Sequence, residues 1–212
     1  MADVAEEPEK RTEGVAEDAD PSSNIDFTNK HPLENTWTMW FDIPTGRQKQ
    51  STWGQTLRSV YTFDTVEDFW CLYNNIVTPS RLVYGSDFSL FKQGIEPKWE
   101  DTANQLGGKW TYMVPKSTGK NVLDTLWLNT LLALIGEQFD DGDEVCGAVV
   151  NVRNKQDRIS IWTRSSSNES VQLAIGKAFK SCLDLGESTK IGFLVHDDSI
   201  KLDKRAKDRY TV

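Results

Sequence analysis

Residues 36–42, TWTMWFD, alternate in polarity: Trp37, Met39 and Phe41 fall on one side of an extended chain and Trp40 on the other. LRSVYTF (57–63) alternates in the same way, and DFSLF (87–91) reads as a short strand. DTVEDFWCLYNNI turns helical after a capping box formed by Asp64 and Glu67. VLDTLWLNTLLALIGEQF is a long helix, and NESVQLAIGKAFKSCL is a helix with Asn168 as N-cap. EVCGAVVNVR and RISIWTR are strands joined by NKQD as a hairpin, and KIGFLVH is a further strand before a basic tail. Several strands with about three long helices predict an α+β domain, in which helices cover one face of an antiparallel sheet. The other face is then free to form a concave site.

The hairpin carries the first candidate chemistry. In RISIWTR, alternation puts Arg158, Ser160, Trp162 and Arg164 on one face, and Ile159 and Ile161 on the core face. If NKQD is a simple turn, Arg153 stands opposite Arg158 on the same side. Arg158 and Trp162 are then roughly 13 Å apart at ~3.3 Å per residue. An aromatic surface at one end and two guanidiniums at the other, with Lys155 in the turn, match a nucleotide from its base to its outer phosphates. A solvated strand face with one half-buried Trp is the alternative.

Trp99 lies in a stretch punctuated by Pro97 and by Gly107 and Gly108, with Glu100 and Asp101 after it. A loop Trp beside a carboxylate can read guanine. The indole stacks on the base, and Glu100 accepts from N1–H and the 2-amino group. Methylation at N7 makes the base cationic and adds a cation–π attraction, which a second indole strengthens. Trp53 is a candidate for it, in a polar stretch before Gly54. Of the two carboxylates, Glu100 is expected to matter far more than Asp101. A loop anchor packed on the domain is the alternative for Trp99.

Composition narrows the class. The eight Trp exceed what a 212-residue core needs, so some serve a surface. Residues 1–30 hold nine acids and three bases with almost no large apolar residues, and read as a disordered acidic tail. Residues 31–212 hold 23 acids and 21 bases, so the folded part is near neutral and broad electrostatic binding of nucleic acid is disfavoured. Three cysteines and two histidines support neither a disulfide framework nor a zinc site, and no metal is expected. No apolar run approaches the ~18 residues of a membrane span, and no signal or transit peptide is apparent. The chain is expected in a reducing cytoplasm.

FDTVEDFW, GIEPKWED, GGKW, LLALIGEQF, VCGAVVNVR and ISIWT, in that order, resemble the eukaryotic translation initiation factor 4E family, the messenger-RNA cap-binding proteins. The resemblance runs from HPLENTWTMWF to RYTV. It implies a single curved antiparallel sheet with about three helices on its convex face, and a cap-binding domain over residues 31–212. It implies a 7-methylguanosine cap, or an analogue such as m7GTP or m7GDP, in the concave slot, with no cofactor and no catalysis. Trp53 and Trp99 would be the stacking plates. Glu100 would hold the guanine edge and the Trp99 N–H its O6, with Trp162 at the N7-methyl group. Arg153 and Arg158 would hold phosphates, with Lys155 nearby and Lys109 reaching through water. A cytoplasmic location is implied, with the nucleus open as a second compartment, and a monomer outside its complexes. Two departures stand out. Lys204 occupies the place of a serine that is phosphorylated in animal members, with Ser199 off register. Cys146 matches a cysteine that is paired in some plant-type members, but Ser89 or Leu90 stands at the partner position, so no bridge is expected.

A second face follows from the helix after Asp64. Its apolar residues, from Val66 and Trp70 at one edge to Leu72 and Ile76, span an arc of roughly 160° at ~100° per residue, where a sheet contact needs about 100°. The helix from Val122 is apolar nearly all round, with Leu128 and Leu132 as an i, i+4 pair. The resemblance implies that initiation factor 4G or a 4E-binding protein docks a Tyr/Leu-bearing helix on His31, Pro32, Leu33, Val66, Trp70, Leu128, Asn129 and Leu132. Asn129 stands where many animal members have an acid. Cover by HPL within the chain itself is the alternative. Two rival functions remain at this stage: an enzyme acting on capped nucleotides through Glu96, Glu100, Asp101 and Mg²⁺, and a general single-stranded RNA binder.

Overall fold

The computed structural model describes residues 29–43, 56–202 and 206–212. Trp53, Lys204 and nearly all of the acidic N-terminal segment lie outside these. Among the described residues the strands are β1 (Pro32–Asp42), β2 (Arg58–Thr65), β3 (Asp87–Lys92), β4 (Gly108–Val114), β5 (Val145–Asn151), β6 (Asp157–Thr163), β7 (Gly192–Val195) and β8 (Tyr210–Thr211). The helices are α1 (Val66–Asn75), α2 (Lys120–Ile135), α3 (Glu169–Cys182) and the short α4 (His196–Leu202). The strands form one curved 8-stranded sheet in the order β2-β1-β3-β5-β6-β4-β7-β8, and every pairing is antiparallel.

Alternation decides the two faces. Trp37 and Met39 of β1, Leu90 of β3, Trp110 of β4 and Ile159 and Ile161 of β6 enter one large cluster with Phe69 of α1, Leu123, Trp127 and Leu131 of α2, and Ile175 and Phe179 of α3. Gly176 brings α3 close to the sheet, because a Cβ there would lie 2.7 Å from the Trp110 ring. Phe91, Ile95, Cys146, Val149 and Trp162 form a second, smaller cluster on the other face, with Trp40 and Ala103 packed on it.

Four details differ from the sequence reading. The cap of α1 is Thr65, not Asp64. Its hydroxyl accepts from the Asp68 N–H at 3.2 Å and donates to the Asp68 carboxylate at 2.8 Å, while Glu67 turns to His31. The strand β4 is an element beyond those expected above, although Trp110, Tyr112 and Val114 alternate with Lys109, Thr111 and Met113. The stretch after KIGFLVH is in part α4, whose residues HDDSIKL carry too little apolar periodicity to announce a helix. The hairpin register also shifts, and that bears on the site below.

Cys71, Cys146 and Cys182 are free thiols. Leu90 and Cys146 belong to opposite faces of the sheet. Burial pushes the Cys146 thiol up to about 11, which keeps it protonated and unreactive.

Candidate functional site

The face left bare by α1, α2 and α3 carries the candidate site. Trp162 of β6 is its floor and is only 4% exposed. Phe91 meets it edge-on at 5.6 Å, the His196 ring lies 4.2 Å from it between centroids, and the Lys109 ammonium stands 6.0 Å from its ring. Lys109 pairs with Trp162 across the β4–β6 ladder, so the missed strand delivers a cation beside the indole.

The loop bearing Trp99 is held from within. The Asp101 carboxylate accepts from Glu96 N–H at 2.9 Å and Ala103 N–H at 2.8 Å. Asn104, fully buried, donates from Nδ2 to the carbonyls of Glu96 and Lys98, each at 2.8 Å. Ile95 and Ala103 seat this loop on the cluster that contains Trp162. Trp99, 37% exposed, and Glu100, also exposed, therefore project from a rigid support. Asp101 is the staple of the loop, a task the sequence reading does not assign to it. An Asp in a loop, able to bond the backbone N–H two residues on, was the available signal for such an Asx-type turn.

The basic end is assembled differently from the simple hairpin. β5 stops at Asn151, and Asn151, not Arg153, is the cross-strand partner of Arg158. Residues 152–156 form the connection. Arg153 is recruited by β3 instead: its Nη1 and Nη2 donate to the two oxygens of Asp87 at 2.6 and 3.0 Å. Burial raises the Asp87 carboxyl above its usual value, and the Arg153 bonds and charge oppose that. Arg153 and Arg158 nevertheless remain at one end, since the Arg153 backbone N–H donates to Asp157, the residue before Arg158, at 2.9 Å. The Lys109 ammonium is pushed below its usual value by burial first, then by Arg158 and Arg153, with Asp87 opposing. Lys155 is exposed in the connection. The slot thus has an aromatic end and a cationic end, as alternation in RISIWTR predicts. Trp53 lies outside the described residues.

Glu96 is paired with Lys98 at 2.7 Å, and Asp101 is engaged in its loop. Among the described residues no three His, Cys, Asp or Glu side chains are grouped as metal ligands would be.

The helix side carries the second candidate face. The start of β1 joins two helices there: His31 O accepts from Val66 N–H at 2.9 Å and His31 Nδ1 meets Glu67 at 2.6 Å, while Asn35 Nδ2 donates to Glu137, just past α2, at 2.8 Å. The His31 contacts hold the Glu67 carboxyl below its usual range. His31 and Pro32 are exposed, while Leu33 and Leu128 are half-buried against the core. Val66 and Asn129 are half-buried. Trp70 is 37% exposed although Phe69 and Tyr73 flank it at 5.0 and 6.0 Å, and Leu132 is 36% exposed. HPL does not cover Trp70 or Leu132.

The sheet thus carries an aromatic-to-cationic surface on one face and an apolar, helix-borne ridge on the other. The Eukaryotic initiation factor 4E family model matches residues 32–211. "Eukaryotic translation initiation factor 4E-1" of Oryza sativa subsp. japonica is 55% identical over 211 residues, covering 98% of this chain and 90% of that protein. Its Zea mays counterpart is 58% identical over 182 residues, covering 86% of this chain and 81% of the relative. The chain belongs to the eukaryotic initiation factor 4E family. Among solved structures, Ascaris suum eIF4E-3 with m7G cap superposes with a TM-score of 0.80 at 43% identity, covering 87% of this chain and 98% of the other. C. elegans eIF4E-3, in complex with the 4E-binding protein Mextli and cap analog, gives a TM-score of 0.79 at 42% identity, covering 87% of this chain and 100% of the other.

Proposed function

We infer that this protein binds the 7-methylguanosine 5′ cap of messenger RNA and recruits a scaffold protein to start cap-dependent translation, acting as a non-catalytic factor. One observation carries the reading: the Trp99–Glu100 loop is seated on the same small cluster as Trp162, with Lys109 beside that indole, and Arg153 and Arg158 lie further along, where the Arg153 N–H bonds Asp157, the neighbour of Arg158. The cap complex of the Ascaris relative supports it.

In this reading residues 31–212 are the cap-binding domain, and residues 1–30 are a tail outside it. Trp53 and Trp99 sandwich the methylated base, whose positive charge strengthens both stacks. Glu100 accepts from the guanine edge, and Trp162 lies against the N7-methyl group. Arg153 and Arg158 bind phosphates with Lys155 and Lys109 in support. Asp87 holds the Arg153 fork in place and partly neutralises it. The ligand is the cap or an analogue such as m7GTP or m7GDP, and no cofactor is required. On the other face, a 4G-type scaffold or a 4E-binding protein lays a Tyr/Leu-bearing helix over His31, Pro32, Leu33, Val66, Trp70, Leu128, Asn129 and Leu132. No described helix is long and apolar enough to cross a membrane. The site of action is the cytoplasm, with the nucleus as a second compartment, and the protein is a monomer outside its complexes.

The test is retention on immobilised m7GTP, with elution by m7GTP against GTP. Elution by the N7-methylated nucleotide alone is expected, and Glu100→Ala should lose retention, since two guanine donors then go unpaired at ~1–3 kcal/mol each. Equal elution by GTP, or equal affinity for uncapped RNA, would favour a general RNA binder. Turnover of a cap dinucleotide with Mg²⁺ would favour an enzyme.

A further inference from the structure

Asp157 is a buried carboxylate, 5% exposed, that the reading above leaves without a task. It opens β6 directly after the connection that carries Arg153 and Lys155. Its Oδ1 accepts the Arg153 backbone N–H at 2.9 Å, and its Oδ2 accepts the Lys116 ammonium at 2.6 Å. Lys116 lies just past the end of β4 and stands 5.2 Å from the Tyr84 ring. The preceding residue is also fixed: Val152 N–H donates to Ser86 O at 3.0 Å, and Val152 O accepts from Gly85 N–H at 2.8 Å. Arg153 is therefore held twice, at its backbone by Asp157 and at its guanidinium by Asp87.

We propose that Asp157 and Lys116 are positioning residues for the phosphate end: Asp157 holds the backbone of Arg153, and Lys116 cancels the charge that Asp157 would otherwise present to the phosphates. The proposal rests on the cap-binding reading. The two tasks separate by chemistry. Accepting the Arg153 N–H needs an oxygen, which an amide supplies as well as a carboxylate. Cancelling charge is needed only while a carboxylate is present, because an unpaired buried anion repels the phosphate that Arg153 and Arg158 attract.

The test measures binding of m7GTP and of 7-methylguanosine to wild type, Asp157→Asn, Asp157→Ala and Lys116→Met, with a thermal melt of each. Asp157→Asn should match or exceed wild type for m7GTP. Asp157→Ala and Lys116→Met should each weaken m7GTP about five- to tenfold, the scale of one lost hydrogen bond or ion pair, and leave 7-methylguanosine unchanged. Equal weakening of both ligands would overturn the proposal by showing a general structural role. So would m7GTP binding at wild-type strength by Asp157→Ala or Lys116→Met, or an Asp157→Asn protein as weak as Asp157→Ala. If Asp157→Ala does not fold, the Asn and Met variants decide alone. Failure of the wild type to bind m7GTP strikes the cap-binding reading instead.

Discussion

On the helix-covered face Trp37, Trp110 and Trp127 are at most 1% exposed. On the bare face Trp162 is nearly as deep at 4%, yet a histidine, a lysine ammonium and a phenylalanine surround it. The first three indoles are packed within the large apolar cluster. The fourth is kept beside charge, which a core avoids unless the charge has work to do. Depth alone therefore does not separate structural from functional tryptophans in this fold, whereas the company they keep does.

The sharpest break of that comparison pairs one tryptophan from each face. Trp110→Ala removes a fully buried indole that touches α3 at Gly176 and lies tilted against Phe193 at 5.4 Å. A loss of about 3–5 kcal/mol of stability is expected, read as a collapse of the denaturant midpoint. Trp99→Ala should leave that midpoint within ~0.5 kcal/mol of wild type and abolish retention on m7GTP resin. Trp53→Ala should lose retention in the same way. A Trp99→Ala protein that unfolds would make Trp99 a loop anchor.

Trp70 tests whether the helix side has an outer surface of its own. It is flanked by Phe69 and Tyr73 but remains 37% exposed. Interface aromatics of this kind carry ~2 kcal/mol or more. Trp70→Ala should abolish pull-down of a Tyr/Leu-bearing helical peptide, and Leu132→Ala should weaken it less. Both proteins should still elute from cap resin, because the slot lies across the sheet. Loss of both activities in Trp70→Ala would return Trp70 to the core.

The legible parts of the molecule were those with strict period. Alternation in TWTMWFD and RISIWTR assigned Trp37, Met39, Trp40, Ile159, Ile161 and Trp162 to the faces they occupy, and the broad arc of α1 anticipated the exposure of Trp70. What escaped depends on side chains that act across the fold. Arg153 is placed by Asp87, which is 66 residues earlier in the chain, and no hairpin rule could supply that. Asp101 and Asn104 look like ordinary loop residues until their backbone partners are seen. α4 lacked a stripe, and the capping box slipped by one residue because both Asp64 and Thr65 are good caps.

The cationic end sharpens the comparison along the slot itself. Arg158 is exposed and has a cross-strand partner in Asn151, whereas Arg153 is fastened to buried Asp87. Each replacement by Ala should weaken m7GTP by ~1.5–3 kcal/mol, the scale of bonds to charged groups, and hardly affect 7-methylguanosine. Only Arg153→Ala should also lower the melting temperature, since it leaves the Asp87 carboxylate buried without its fork. Titrations of the nucleoside and the triphosphate, beside a melt, read all three effects. Equal losses for both ligands would remove these arginines from the phosphate end.

The smallest effect concerns the histidine behind Trp162. His196 is 2% exposed, its ring is tilted against that indole at 4.2 Å, and its backbone N–H donates to Gly107 O at 3.1 Å. Burial, aided by the positive charge of Lys109, pushes its imidazole down to about 3. In the unfolded chain the same group titrates near ~6.5. Between these values the unfolded state binds a proton that the native state refuses, so stability falls as the pH drops through that window and is fully present above it. One such group contributes a loss of about 1.4 kcal/mol at pH 5.5 relative to pH 8. His196→Phe keeps a ring against Trp162 and removes the proton acceptor. The variant should melt with less acid sensitivity than wild type between pH 7.5 and 5.5, and should still bind m7GTP at pH 7.5. Parallel pH profiles for the two proteins would mean that His196 is not held neutral, and that the slot face tolerates a second cation beside Lys109.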